Sequence, residues 1–389
     1  MREAVIVEAV RSPMGRRNGK LAGWHPVDLL ADVLKAVVER TGIDPNQVDD
    51  NITGCVMQTG EQALNIGRNA WLAAGLPEEV PSTTVDRQCG SSQQAAHFAA
   101  QGVMAGAYDL VIASGIEHMT RVPMGVTAQQ GPGIPFTAQL MDRYDGGLVP
   151  QGVSAEIIAD RWSLGREELD RFSARSHEYA GRATKEGRFA NEIHPIKVQT
   201  EDGVDEFDFD EGIREPNLEK MAQLKPAFKE DGVVTAGNSS QITDGAAALL
   251  ITSREKAEEL GLRPRARFHT FALAGVDPIT MLTGVIPATR KALERSALKL
   301  EDIDRVEINE AFATVVLAWK KELDIPDDWF DEHVNPNGGA IALGHPLGAS
   351  GARLMTTLLN ELERTGGTYG LQTMCEGGGM ANATILERL

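Results

Sequence analysis

Two of the three cysteines and one of the eight histidines lie in glycine-rich turns of the sequence. Cys89 is followed by Gly-Ser-Ser, Cys375 is followed by Glu-Gly-Gly-Gly, and His345 stands within Gly-His-Pro-Leu-Gly-Ala-Ser-Gly. Glycine allows backbone amides to approach a reacting atom closely, because it has no Cβ atom and accepts positive φ. Amides placed in this way stabilise the oxyanion of a tetrahedral intermediate. The two thiols and the imidazole therefore predict nucleophilic and acid–base chemistry at sulfur.

Cys89 lies between a strand-like run, 82–86, and a helical run that begins near Ser91. The aligned peptide dipoles at a helix N-terminus favour a thiolate over a thiol. We therefore expect Cys89 to be a nucleophile at neutral pH, and the alternative is a small cysteine that only packs. Cys55, in the apolar run Ile-Thr-Gly-Cys-Val, is predicted to belong to the core.

A polar amide stands at another junction between elements. Asn309 ends a strand-like run and opens a helical one in the sequence Asn-Glu-Ala-Phe. The sites of α/β proteins gather outside the carboxyl ends of strands, so Asn309 is a candidate site residue. The alternative is that Asn309 is a plain helix cap.

Short β-branched runs alternate with helical patterns in the first and last parts of the chain, which is typical of an α/β fold. The apolar run 110–115 has the composition of a strand that is covered on both faces, and a parallel sheet is the expected arrangement. The order of elements around Cys89 recurs around 347–350. We therefore interpret the two parts as copies of one unit.

The segment 119–243 differs from both copies, since it contains Gly-Pro clusters and charged helical pieces. We interpret it as an inserted lobe that interrupts the first unit. The predicted organisation is a first unit of residues 1–118 that is completed by 244–262, the lobe 119–243, and a second unit of residues 263–389.

The chain has 389 residues and a net charge of -18. This acidity argues against a nucleic-acid partner, because phosphate binding requires clustered Lys and Arg. No apolar run reaches the roughly 18 residues of a membrane span, and a strand-like start leaves no room for a signal peptide, so we expect a cytoplasmic protein. An odd number of cysteines favours reduced thiols, and their spacing argues against a zinc site.

These segments resemble the thiolase family over essentially the whole chain, including the inserted lobe. Cys89 matches the nucleophile segment of the family, Asn309 its Asn-Glu-Ala-Phe motif, His345 its Gly-His-Pro motif and Cys375 its Cys-x-Gly-Gly-Gly motif. The resemblance implies an α/β fold of duplicated βαβαβαββ halves that form a five-layered α-β-α-β-α core with an inserted loop lobe. It also implies CoA and acyl-CoA thioesters as ligands, no cofactor or metal because CoA is a substrate, and a homodimer or homotetramer.

The resemblance further implies thiolytic cleavage of a 3-ketoacyl-CoA, with a reverse Claisen condensation. Cys89 carries the acyl group, and Cys375 exchanges a proton with the α-carbon of the acetyl group. His345 takes the proton of Cys89 and, with a water held by Asn309, stabilises the enolate-like oxygen. The backbone amides of Cys89 and Gly377 hold the oxyanion of the acyl-enzyme intermediate.

Six further residues match positions that bind ligands in the family. The expected CoA contacts are Ser240, Phe228 and Arg214, and the expected substrate pocket is lined by Met281, Phe312 and Gln151.

Departures from the short-chain pattern bear on the substrate. Where short-chain biosynthetic thiolases carry a His-Met pair, this chain has Pro150 and Gln151. The pattern favours a 3-ketoacyl-CoA thiolase of broader chain length, and the alternative is a short-chain acetoacetyl-CoA thiolase. A ketoacyl synthase is disfavoured by Asn309 and Cys375, and a non-catalytic partner subunit is disfavoured by the intact cysteines and histidine.

One residue of the Cys375 loop is unusual. Glu376 would raise the pKa of a neighbouring thiol if its carboxylate faced that thiol. The favoured interpretation is that Glu376 points to solvent.

Overall fold

The computed structural model of the protein describes residues 2–144, 147–201 and 203–389. The strands are β1 (Ala4–Arg11), β2 (Gly15–Arg16), β3 (Asp50–Gly54), β4 (Ser82–Val85), β5 (Leu110–His118), β6 (Ile196–Thr200), β7 (Gly203–Phe207), β8 (Thr243–Ser253), β9 (Ala266–Gly275), β10 (Arg305–Ile308), β11 (Tyr369–Glu376) and β12 (Met380–Arg388).

Helices connect these strands and cover the faces of the sheet. The α-helices are α1 (Pro26–Thr41), α2 (Ile66–Ala73), α3 (Ser91–Ala105), α4 (Val126–Gln129), α5 (Ala138–Asp142), α6 (Gln151–Arg161), α7 (Arg166–Lys185), α8 (Leu218–Ala222), α9 (Arg254–Glu259), α10 (Val285–Ser296), α11 (Ala313–Glu322), α12 (Asp327–His333), α13 (Ala340–Leu343) and α14 (Ser350–Thr365). Among the residues described above, none of these helices is both long and apolar enough to cross a membrane.

The large sheet has the strand order β10-β11-β12-β9-β1-β8-β5-β3-β4, with β2 beside β8. It consists of two halves that meet where β1 pairs with β9 over two residue pairs, Val5 with Arg267 and Ile6 with Ala266. Each half contains strands from one part of the chain, apart from β8, which returns after the inserted segment to lie between β1 and β5.

The expectation of a parallel sheet is wrong, because the sheet is mixed. Among the strands that the structure describes in this sheet, β10–β11, β3–β4 and β3–β5 are parallel, and the other pairs are antiparallel. The strands β5 and β8 are buried along their whole length, and the runs 110–113 and 246–251 within them are apolar on both faces. An apolar strand of this kind indicates that helices cover both faces of the sheet. It does not indicate whether the strand is parallel or antiparallel to its neighbours.

Three hydrophobic clusters define five layers. One cluster packs α1 and α2 on the outer face of the first half-sheet. A second contains the apolar faces of α3 and α14, which lie between the two half-sheets. The third packs α10 and α11 on the outer face of the second half-sheet. The arrangement is the α-β-α-β-α fold that the family resemblance implied.

A buried ion-pair cluster ties the segment between β5 and β8 to the core. The Arg11 side chain, fully buried on β1, binds Asp210 at 2.7 Å and Glu192 at 2.6 Å. Removing one partner of such a cluster leaves an uncompensated buried charge, which is strongly destabilising. The division of the chain into two units and a lobe stays a prediction.

Candidate active site

The two helices of the middle layer begin at the same place. The backbone amide of Ala352, in the first turn of α14, donates a hydrogen bond of 2.8 Å to Ser92 Oγ in the first turn of α3. Cys89 lies just before α3, and the His345 turn lies just before α14. Cys89 also packs in an apolar cluster with Leu347, so the first thiol and the histidine turn are neighbours.

The motifs of Asn309 and Cys375 lie at the ends of two adjacent strands of the second half-sheet. Strands β10 and β11 are parallel, and Ile308 lies opposite Thr373. The backbone amide of Asn309 donates to Thr373 O at 3.1 Å, so Asn309 follows β10 at the level where β11 approaches Cys375. All four motifs therefore converge at the carboxyl ends of these strands, as is common in α/β proteins.

A tight turn presents Cys89. Gln88 has a φ of 49°, a left-handed conformation that is uncommon for a residue with a side chain. Its backbone amide donates to Asp86 Oδ1 at 2.7 Å, and its carbonyl accepts from Ser91 Oγ at 2.6 Å. These two hydrogen bonds hold the residue before the nucleophile in a conformation that is otherwise unfavourable.

Three donors surround the Cys89 sulfur. They are the side-chain amide of Gln151 and the backbone amides of Cys89 itself and Gly377. Burial opposes them, since Cys89 is 4% exposed, and the nearby Glu376 carboxyl opposes them further. Together burial and Glu376 raise the pKa of Cys89 to about 12. The expectation that Cys89 is a thiolate at neutral pH is wrong for the resting protein, because desolvation outweighs the donors and the helix terminus.

Cys375 is the second thiol of the site. It is fully buried near the end of β11, opposite Ala381 of β12. Burial is the main cause that raises its pKa well above the usual range, followed by the proximity of Cys89 and of Glu376. The site therefore holds two neighbouring thiols, both protonated at rest.

The hydrogen bonds of His345 define its tautomer. Ser350 Oγ donates its only hydrogen to Pro346 O at 2.8 Å, so its contact of 2.6 Å with His345 Nδ1 is a bond in which the histidine donates. The unprotonated Nε2 then faces Asn309 Nδ2 at 3.4 Å. Burial, and secondly the charge of Arg353, lowers the pKa of His345 to about 3. His345 is therefore a neutral imidazole whose Nε2 lone pair accepts from Asn309 Nδ2.

Asn309 is fully buried beside this lone pair. Within the described part of the chain, its Oδ1 atom has no hydrogen-bond partner. Buried polar atoms are normally paired, so Asn309 Oδ1 is free to accept a hydrogen bond from a bound molecule. This geometry suits a residue that holds a polar ligand next to His345.

The backbone of the His345 turn is held by residues that the sequence analysis did not select. The backbone amide of His345 donates to Thr243 Oγ1 at 3.1 Å. The buried carboxylate of Glu117 accepts from the amide of Gly348 at 2.8 Å and from Gln62 Nε2 at 2.8 Å. No local signal marks Glu117, because it lies in β5, more than 200 residues from the turn that it holds.

Cys55 is fully buried in the first core cluster, as predicted. Gln62 Nε2 lies 3.4 Å from its sulfur. Its backbone packs against Gly348 of the His345 turn, and its side chain belongs to the core cluster.

The predicted pocket residues lie together. Gln151 begins α6 with its side-chain amide near the Cys89 sulfur, and a Cβ atom on the adjacent Gly152 would lie only 2.2 Å from the Phe228 ring. Phe228 meets Phe312 edge to face, with ring centroids 5.9 Å apart. Phe312 in turn shares an apolar cluster with Met281 and Cys375. These side chains form an apolar wall that leads away from the thiols.

The predicted CoA contacts extend this wall towards the surface. The amide of Ser240 donates to Ala311 O at 3.0 Å, next to Phe312. Arg214 Nη2 donates to the side chain of Gln241 at 3.1 Å. Arg214 also lines an open cleft of about 720 Å³ together with Arg182 and Lys185. Ser240 therefore lies beside the pocket residue Phe312, whereas Arg214 lies in a separate cleft of mixed charge, where Glu178, Glu186 and Glu215 accompany the basic side chains.

The interpretation that Glu376 points to solvent is wrong. Its side chain is fully buried and faces Gly90, the residue after Cys89. The sequence could not show this, because α3 and β12 together enclose the carboxyl group only in the folded chain.

Comparisons with known proteins agree with this architecture. The family model "Thiolase, N-terminal domain" matches residues 4–255, and "Thiolase, C-terminal domain" matches residues 262–388. The chain therefore belongs to the thiolase family.

Individual relatives are similar over the full length. The chain is 53% identical to the steroid 3-ketoacyl-CoA thiolase FadA6 of Mycobacterium tuberculosis, covering 100% of this chain and 95% of that protein. It is 45% identical to the 3-ketoacyl-CoA thiolase of Photobacterium profundum, with 100% of both chains covered. The crystal structure of the Bacillus anthracis acetyl-CoA acetyltransferase superposes with a TM-score of 0.91 at 40% identity, covering 100% of this chain and 99% of that one.

Proposed function

We propose that the protein is an acyltransferase that cleaves 3-ketoacyl-CoA with CoA, releasing acetyl-CoA and a shortened acyl-CoA through an acyl-Cys89 intermediate. The observation that carries the proposal is the pair of neighbouring buried thiols beside a neutral imidazole. One thiol can form the covalent bond and the other can move a proton, which are the two tasks of this reaction.

In the first step, Cys89 Sγ attacks the ketone carbon and its proton passes to His345 Nε2. Burial disfavours both the thiolate and the imidazolium, so the proton transfer accompanies the attack and does not precede it. The backbone amides of Cys89 and Gly377 hold the resulting oxyanion. Each such donor contributes roughly 3 kcal/mol in comparable sites.

In the second step, the bond between the α-carbon and the former ketone carbon breaks, and the α-carbon takes the proton of Cys375. His345 and a water held by Asn309 stabilise the enolate-like oxygen while this carbon carries charge. Acetyl-CoA leaves, and incoming CoA gives its thiol proton to the Cys375 thiolate. CoA then attacks acyl-Cys89, which departs as a thiol with the proton from His345.

We propose 3-ketoacyl-CoA with long or bulky acyl groups, including steroid side chains, as the preferred substrates. The names of the relatives from Mycobacterium tuberculosis and Photobacterium profundum support this class. The apolar wall of Phe228, Phe312 and Met281 supports it too, since Phe228 is 43% exposed and offers aromatic surface for apolar contact. A short-chain acetoacetyl-CoA thiolase is the second candidate, supported by the full-length similarity to the Bacillus anthracis acetyl-CoA acetyltransferase.

A substrate panel tests both parts of the proposal. Acetyl-CoA and shortened acyl-CoA should form from 3-ketoacyl-CoA and CoA, measured by mass spectrometry, and Cys89→Ala should abolish them while Cys55→Ala should not. Long or bulky substrates should exceed acetoacetyl-CoA in kcat/KM. The reverse order would favour the short-chain candidate, and the absence of product from every thioester would contradict the thiolase assignment.

We further propose that the predicted CoA contacts Ser240, Phe228 and Arg214 bind the pantetheine and adenine parts of CoA, which is a substrate, so no resident cofactor takes part. A cytoplasmic homodimer or homotetramer is the proposed working form. The inserted lobe, residues 119–243, supplies Phe228, Arg214 and Ser240 and is the proposed CoA-binding unit.

A further inference from the structure

The Glu376 carboxyl lies against the turn that carries the nucleophile. Glu376 follows Cys375 on β11, and successive side chains of a strand point to opposite faces, so Cys375 faces the outer cluster while Glu376 faces the middle layer. A Cβ atom built on Gly90 would lie 2.0 Å from Glu376 Oε1. No other residue type fits at Gly90 unless this carboxyl moves.

The Glu376 carboxyl group is buried without a hydrogen-bond donor among the described residues. Glu376 is 0% exposed, and neither of its oxygens has a hydrogen-bond partner among the residues that the structure describes. Asn382 of β12 approaches the same point, but its Nδ2 donates to Gly90 O at 3.1 Å. A buried carboxylate without donors is strongly disfavoured, so the neutral acid is the favoured form at rest.

The charged and titratable groups that face Glu376 come from two elements. Asp86 and Arg87, in the loop before α3, have opposite signs, and the Cys89 and Cys375 thiols are neutral. Burial is the largest influence and raises the pKa of Glu376 to about 8, with Arg87 opposing it and Asp86 adding to it. The group therefore ionises just above neutral pH.

We infer that Glu376 is a positioning residue whose protonation state controls how readily the Cys89 sulfur gains negative charge. As a neutral acid it fills the space against Gly90 and leaves the Cys89 sulfur free to gain negative charge. As a carboxylate it opposes that charge, because two anions in a poorly solvated space repel each other. The effect on the thiol is independent of the substrate, and only its consequence for turnover rests on the proposed function.

The inference predicts the pH dependence of alkylation at Cys89. As the pH rises through about 8, Glu376 ionises and suppresses the thiolate, so alkylation of the wild type should rise in two steps and less steeply than for an isolated thiol. Glu376→Gln keeps the shape and stays neutral. Above this pH it should be alkylated about ten-fold faster than the wild type, since a nearby charge shifts a thiol pKa by about one unit or more.

The experiment measures iodoacetamide labelling of Cys89 by peptide mass spectrometry between about pH 6 and pH 10, where the thiolate fraction changes. The surface variant Glu294→Gln, at an exposed position of α10, is the matched control and should follow the wild type. Equal rates for Glu376→Gln and the wild type at every pH would overturn the inference.

Two further comparisons test the inference if the variant does not fold or if thiolysis fails. If Glu376→Gln does not fold, the wild-type profile decides, and a rise that fits a single thiol ionisation would overturn the inference. Labelling needs no substrate, so a failure of thiolysis with a normal two-step profile would contradict the proposed function and leave the role of Glu376 intact.

Discussion

Ser350→Ala tests whether one buried hydroxyl holds His345 in the tautomer that accepts a proton. Ser350 Oγ is the acceptor for His345 Nδ1 at 2.6 Å, and it is buried beside Pro346. Without it, the Nδ1 hydrogen loses its partner, and a buried unsatisfied donor costs about 1–3 kcal/mol. If the Asn309 amide turns so that its unpaired Oδ1 replaces Nδ2 beside Nε2, the tautomer with hydrogen on Nε2 gains an acceptor and becomes the better one.

This energy sets the expected loss of activity. A penalty of about 1–3 kcal/mol reduces the fraction of the competent tautomer by a factor of roughly 5 to 150. The kcat/KM for thiolysis should fall by that factor, because Nε2 no longer accepts the Cys89 proton in most molecules. Urea denaturation should show a loss of stability of similar size, about 1–3 kcal/mol.

Ser92→Ala is the matched control. Ser92 is an equally buried serine in the same region, and its Oγ accepts from the amide of Ala352 at 2.8 Å. It should lose comparable stability while keeping most of its kcat/KM, since it does not touch His345. Equal effects of the two variants on kcat/KM would show that general loosening, and not the tautomer, limits the reaction.

Two other predictions follow from the thiols and from the core. In Cys375→Ala, Cys89 should still be acylated by a reactive acyl-CoA, detected as a mass increase of the Cys89 peptide, but condensation of acetyl-CoA should be lost; retained condensation would refute the proton-transfer role. Arg11→Met should lower the free energy of unfolding by about 3–5 kcal/mol, because Asp210 and Glu192 stay buried without their shared cation. Chemical denaturation measures that loss, and a loss below about 1 kcal/mol, the size typical of an exposed pair, would contradict the account.

Local sequence predicted the turns of the site well. Glycine, proline and small residues have strong local preferences for φ, so the segments around Cys89, His345 and Cys375 could be recognised as turns between elements. The strand and helix runs that flank them also agree with the structure within a few residues. Strand direction was the exception, since an apolar run looks the same in a parallel and an antiparallel position when both faces are covered.

The supports of the site were not predictable in the same way. The sequence gives no reason to connect Glu117 with the amide of Gly348, because the two are joined only when β5 packs beside the turn before α14. The sequence predicts Gln151 as a pocket residue, whereas in the structure its side-chain amide is one of the donors near the Cys89 sulfur that oppose the rise of the thiol pKa. Contacts of this kind depend on the mutual packing of elements that are distant in the chain.

The sequence by itself determined which residues lie at the junctions and, through the family resemblance, which reaction to propose. Tertiary structure alone decided the charges of those residues. Cys89 is a neutral thiol, His345 a neutral imidazole and Glu376 an enclosed acid, because the pKa of each depends on how much water the surrounding layers remove. A glycine-rich turn is encoded in neighbouring residues, but desolvation is a property of the whole fold.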